Sequence, residues 1–160
     1  MCAKPHRKTA IKKLVALLID WPQHIGEAIG WVGPLAARVT VGGVFLSSGW
    51  SHLHDPNFVE TFADMGIPWP DLLLPLSSWV ELVGGAMTLA GLCTRIVAVP
   101  LAINMLVAIR AALSHRFNPS GDFLVLDETA YFAIFVWLAA AGAGSLSLDH
   151  LLQRFAAPKD

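Results

Sequence analysis

The chain has 160 residues, enough for one compact domain, with 55% hydrophobic and 14% charged side chains and a mean hydropathy of +0.58. Soluble domains carry about a quarter charged residues, so this composition excludes an ordinary water-facing surface and points to a bilayer. The net charge of −1 hides an uneven distribution, and the one basic cluster flanks an apolar run, so no nucleic-acid partner is expected.

The first segment, MCAKPHRKTAIKKLVALLIDW, has a basic start and a short apolar core. Asp20-Trp21-Pro22 closes that core and no small-residue cleavage site follows, so it is expected to be retained rather than removed as a signal. Across residues 11–32, Ile11, Leu14, Val15, Leu18, Ile25, Ile29 and Val32 recur at helical spacing, broken near Pro22. The pattern predicts an amphipathic helix lying along the membrane interface, anchored by Trp21 and Trp31. The domain layout is therefore a basic tail and amphipathic segment over 1–33, a transmembrane domain over 34–149 and a cytoplasmic tail over 150–160.

Four apolar stretches have roughly the 20 residues that a span needs: about Leu35 to Leu53, Leu72 to Thr94, Ile96 to Leu113 and Thr129 to Leu148. The expected fold is all-α, an up-and-down four-helix membrane bundle. Small residues recur at packing intervals in Gly43 and Ser47, Gly84 and Thr88, and Ala140 and Gly144, which lets helices approach closely in lipid. Nine of the eleven Lys and Arg residues fall on the side shared by the two termini. By the positive-inside rule both termini are cytoplasmic. The first outer loop, HDPNFVETFADMGIP, predicts a short amphipathic lid helix, capped by Asp55, opened by Pro56, and ended by Gly66 and Pro68.

Glu81 lies nine residues into the second stretch, about 12–14 Å deep at 1.5 Å per residue. Asn104 matches that depth on the third stretch, and Ser47 and Ser48 lie slightly shallower on the first. An ionisable group so deep is costly and points to function, here a proton relay. Burial favours its protonated form unless a cation reaches it. The structural alternative is an acid bonded to Asn104 only to lock helices. Nearer the outer surface, Arg110, Glu128 and His52 are expected to form a charged rim, with Arg110 and Glu128 paired. Ser48, His52, Asn104, Arg110 and Glu128 are thus the candidate ligand contacts.

His52, His54 and His115 complete no ligand set of the usual kind, so no metal is expected. Cys2 and Cys93 form no C-x-x-C pair. No phosphate loop, haem pair or flavin fingerprint is present. On the inner side Arg38, Arg95 and Asp149 are expected to be structural, with a salt bridge from Asp149 to one arginine.

Arg38, GGVFLSSGWSHLHDP, FVETFADMGIP, ELVGGAMTLAGLCTR, Met105 and GAGSLSLD occur in an order that resembles the DoxX family of small four-helix membrane proteins. The resemblance covers about residues 35–149. It implies a bacterial or archaeal cytoplasmic-membrane protein, Glu81 at the position of the second-helix glutamate, and Arg38 and Arg95 at those of the inner arginines. Relatives include a membrane subunit of thiosulfate:quinone oxidoreductase and proteins linked to oxidative-stress defence. His52 stands where many members have lysine.

Two classes of function follow. One is a membrane subunit of a redox complex that takes a quinone in a cleft with few polar groups, with electrons from a partner subunit because the chain has no evident redox centre. The other is a non-catalytic anchor or assembly factor in the lipid bilayer, alone or as a homo-oligomer. A small-solute or metal permeation protein is a third reading, which a short chain without an inverted repeat supports less.

Overall fold

The computed structural model describes residue 18, residues 29–115 and residues 127–156. Two compact units divide the chain, Met1–Gly33 and Pro34–Asp160. The interfacial helix expected over residues 11–32 lies almost wholly outside the described residues. Among those described, six α-helices and no strand occur: α1 Val32–His54, α2 Phe58–Asp64, α3 Pro70–Ala90, α4 Thr94–His115, α5 Asp127–Ala141 and α6 Leu148–Ala156. Two stretches, Pro70–Ala90 and Thr94–Leu113, are long and apolar enough to cross a membrane.

Helix ends depart from the hydropathy pattern where the backbone has a stop signal. The second apolar stretch runs on to Thr94, but α3 stops at Ala90 because Gly91 turns left-handed at φ +68°. Gly91 N–H donates to Thr88 O and Leu92 N–H to Met87 O, the paired bonds of a Schellman cap. The fourth stretch was expected to reach Leu148, but α5 ends at Ala141, where Gly142 adopts φ +84°. Residues 142–147 are not helical. A further helix, α6, begins at Leu148, where a tail was expected from residue 150. Ser147 caps it: its hydroxyl accepts from His150 N–H at 3.2 Å and donates to Gly144 O at 2.7 Å. The lid helix α2 starts two residues later than Pro56. Asp55 Oδ1 accepts from Asn57 N–H at 3.0 Å, an Asx turn rather than a helix cap.

Close packing of α1 on α3 depends on residues without side chains. A Cβ on Gly85 would stand 2.5 Å from the Leu46 nitrogen, and one on Gly42 would stand 2.7 Å from that of Leu89. A Cβ on Gly49 would collide with the backbone of Leu82. Gly43, expected at a helix-packing position, faces open space, while Gly84 packs on the Leu101 side chain of α4. Gly42 and Gly43 are equally small, and register alone decides which one meets α3. Phe45 joins α1 to α5, edge-on to Phe135 at 4.8 Å and to Tyr131 at 5.5 Å between ring centroids. With Val41, Leu101, Met105 and Leu138 it forms the core. Gly85→Ala is therefore expected to lower stability by about 1–3 kcal/mol through overpacking. Gly43→Ala should leave it unchanged or slightly raised. Thermal unfolding in detergent compares the two, and equal behaviour would remove the close contact from the account.

The Gly91 ends of these helices are joined by polar groups. Arg38 is 1% exposed and donates from Nη2 to Leu146 O, with its guanidinium lying over Gly91. Asp149 accepts from Cys93 N–H at 2.6 Å and Thr94 N–H at 3.1 Å, so a carboxylate from α6 caps the start of α4. Asp149 N–H in turn donates to Gly91 O at 3.0 Å. The expected salt bridge from Asp149 to an arginine is not formed: its oxygens take backbone N–H groups, and Arg38 feels its charge without direct contact. Arg95 donates to Ala141 O at 3.4 Å and lies against Gly142.

Candidate functional site

At the other end, α1 to α5 line a half-open cavity of about 750 Å³. Phe45, Val80, Ile103, Met105 and Ala108 give it apolar walls, and Phe58, Phe62, Met65 and Ile67 come from the α2 region. The lid helix thus faces the same space as the deep polar residues. Its Phe58 ring sits 4.0 Å from the His52 ring and 6.1 Å from Phe62.

The polar lining is concentrated in one chain of side chains. Ser77 Oγ donates to Asn104 Oδ1 at 2.8 Å, and Asn104 Nδ2 donates to Glu81 Oε1 at 2.8 Å. His52 Nδ1 stands 2.9 Å from Glu81 Oε2. This approach is an ion-pair contact without hydrogen-bond alignment, since Oε2 is buried and has no aligned donor. The Glu81 side chain is 7% exposed and that of His52 21%.

Spacing explains how the group is assembled. Ser77 and Glu81 are four apart on α3, and Ser48 and His52 four apart on α1, so each pair shares a face. Glu81 is eleven residues beyond Pro70 in the 21-residue α3, about 16 Å along it and near mid-helix. Asn104 lies in the middle of α4. The carboxylate and the imidazole thus stand in direct contact beside an apolar cavity.

The expected residues separate into those that converge and those that do not. Glu81 and Asn104 bond directly, and Ser48 and Glu128 line the cavity. His52 does not sit on a rim above Glu81 but touches it. Arg110 is exposed, is not among the lining residues and makes no ion pair with Glu128. Ser77 and Tyr131 were missed. The i−4 spacing of Ser77 from Glu81 was the available signal, while Tyr131 needed the placement of α5. Among the described residues no three metal-ligating side chains converge. His54 donates from Nδ1 to Trp50 O at 2.8 Å and stacks on the Trp50 ring, a local helix-end contact. The side chain of His115 lies outside the described residues.

All-helical described residues, with two helices able to cross a bilayer, are those of a small membrane protein, and an acid is bonded at mid-helix. The chain belongs to the DoxX family, whose profile matches residues 33–116. It is 32% identical over 148 residues to Uncharacterized membrane protein Rv3486 of Mycobacterium tuberculosis, covering 84% of this chain and 90% of that one. It is 27% identical over 124 residues to Inner membrane protein YqjF of Escherichia coli, covering 77% and 94%. The protein named Putative oxidoreductase CatD of Bacillus subtilis is 27% identical over 122 residues, covering 74% and 85%. No solved structure matches the chain.

Proposed function

We propose that this DoxX protein is a membrane subunit of a quinone-linked redox complex, and that Glu81 and His52 exchange protons with a ligand held in the cavity. The observation that carries the reading is a cavity of about 750 Å³ whose walls are apolar and whose deep polar groups form one connected chain, Ser77–Asn104–Glu81–His52. Pockets for aromatic cofactors combine a large apolar wall with a few convergent polar groups. Ser48, Glu128 and Tyr131 supply further polar contacts around the ligand. Electrons come from a partner subunit, and the name of the Bacillus subtilis relative agrees with a redox setting. In this reading α1, α3, α4 and α5 are four spans of an up-and-down bundle in the cytoplasmic membrane, with both termini inside. The contacts of α1 with α3 and α5, and of α3 with α4, support that arrangement.

Extraction of lipids from protein purified in mild detergent is expected to return an isoprenoid quinone near one per chain. Quinone-free preparations that also fail to bind an added short-chain quinone overturn the reading. They leave the non-catalytic anchor or assembly factor, which the Asn104–Glu81 bond between α3 and α4 supports as a helix lock.

A further inference from the structure

We propose that α6 lies flat in the membrane–water interface, with the apolar face of Leu148, Leu151, Leu152 and Phe155 against lipid and the face of Gln153 and Arg154 toward headgroups and water. At 100° per residue the four apolar positions fall within an arc of about 100°, and the polar positions fill the rest. The apolar face is bare: Leu152 is 54% exposed and Phe155 80%. Four large apolar side chains on a nine-residue helix need a cover, and the attachment of α6 identifies it.

Asp149, in the first turn of α6, is fixed to the loop between the two helices able to cross a bilayer. It binds Gly91 O through its own N–H, and Cys93 and Thr94 N–H through its carboxylate. A 21-residue α3 is about 31 Å long, the thickness of a bilayer's hydrocarbon core. Its Gly91 end therefore stands at the boundary of that core, and α6 starts at the same level. An amphipathic helix held at that level meets headgroups on one face and acyl chains on the other. Arg154 suits an anionic headgroup layer. Neither the family assignment nor the cavity requires this contact, and it holds whether or not the cavity takes a quinone.

The test uses the full chain with Cys2→Ser and Cys93→Ser, reconstituted in vesicles of phosphatidylethanolamine and phosphatidylglycerol. An environment-sensitive fluorophore is attached at Leu151→Cys, Gln153→Cys or Phe155→Cys in separate samples. Quenching by aqueous iodide is expected to be at least threefold weaker at positions 151 and 155 than at 153, and quenchers on acyl chains should show the reverse order. Two apolar positions keep the test valid if one variant fails to fold. Equal iodide quenching at all three positions overturns the proposal. So does high-yield disulfide dimerisation through Phe155→Cys at high lipid dilution, which makes a second copy the occupant. Shielding that disappears on removal of residues 1–28 also overturns it, because the chain's own N-terminal segment is then the cover.

Discussion

Glu81→Gln is expected to give a folded chain that fails to restore function to a deletion strain. Gln keeps the length of Glu81, accepts from Asn104 Nδ2 with its carbonyl and turns its amide toward His52 Nδ1, so both present contacts retain a partner. What it lacks is an exchangeable proton. Activity should fall about a hundredfold or more, as for loss of a general acid or base, while the unfolding midpoint stays within a few degrees of the parent. Glu81→Leu separates chemistry from packing. It strands the Asn104 amide and the His52 ring and should cost about 1–2 kcal/mol, the range for interhelical hydrogen bonds in membranes. Normal folding with full complementation by Glu81→Gln would remove the proton role and put the anchor reading ahead.

Arg38→Ala is expected to have the largest effect on stability. The side chain is the largest of the fully buried ones, and its guanidinium fills the space above Gly91 while donating to Leu146 O. Truncation opens a cavity and frees that carbonyl, a loss of roughly 2–5 kcal/mol by analogy with large-to-small core changes. Arg38→Lys keeps the charge but not the planar fork, and should recover only part of the loss. Gly91→Ala attacks the same place from the other side, because a Cβ there strikes the Arg38 guanidinium and φ +68° disfavours any side chain. Yield of monodisperse protein and thermal unfolding in detergent measure all three. An Arg38→Ala variant as stable as the parent would show that the helix ends are held by other contacts.

The features visible in the sequence were those set by hydropathy and counting. α3 and α4 stood out because long apolar runs have few competing explanations. Glu81 and Asn104 were paired because neighbouring spans place equal counts at equal depth. Counting failed where helices had to be placed relative to one another. Counting sets His52 on a rim because it closes the first span, yet α1 packs so tightly on α3, through its own Gly42 and Gly49 and through Gly85 of α3, that its last turn reaches the α3 carboxylate. Arg110 and Glu128 match by count along their helices, yet Glu128 lines the cavity and Arg110 is exposed outside it. α6 was hidden because AAAGAGSLSL reads as a continuation of an apolar span. The left-handed Gly142 and the Ser147 cap divide that run, and both signals are local and weak beside the hydropathy.

The long reach of Asp149 has a consequence for biosynthesis. Cys93 and Thr94 wait for an acceptor 56 and 55 residues further along the chain. At about 5–20 residues per second, translation delivers it roughly 3–11 s after they leave the ribosome. Arg38 waits longer, for a carbonyl 108 positions downstream. The hairpin of α3 and α4 must form with its connecting turn uncapped and an arginine unspent beside it. Assembly therefore has a late closing step, made by Leu146 and Asp149, and a nascent chain released before residue 146 carries the polar chain of the cavity but not the clasp at the opposite end of the helices.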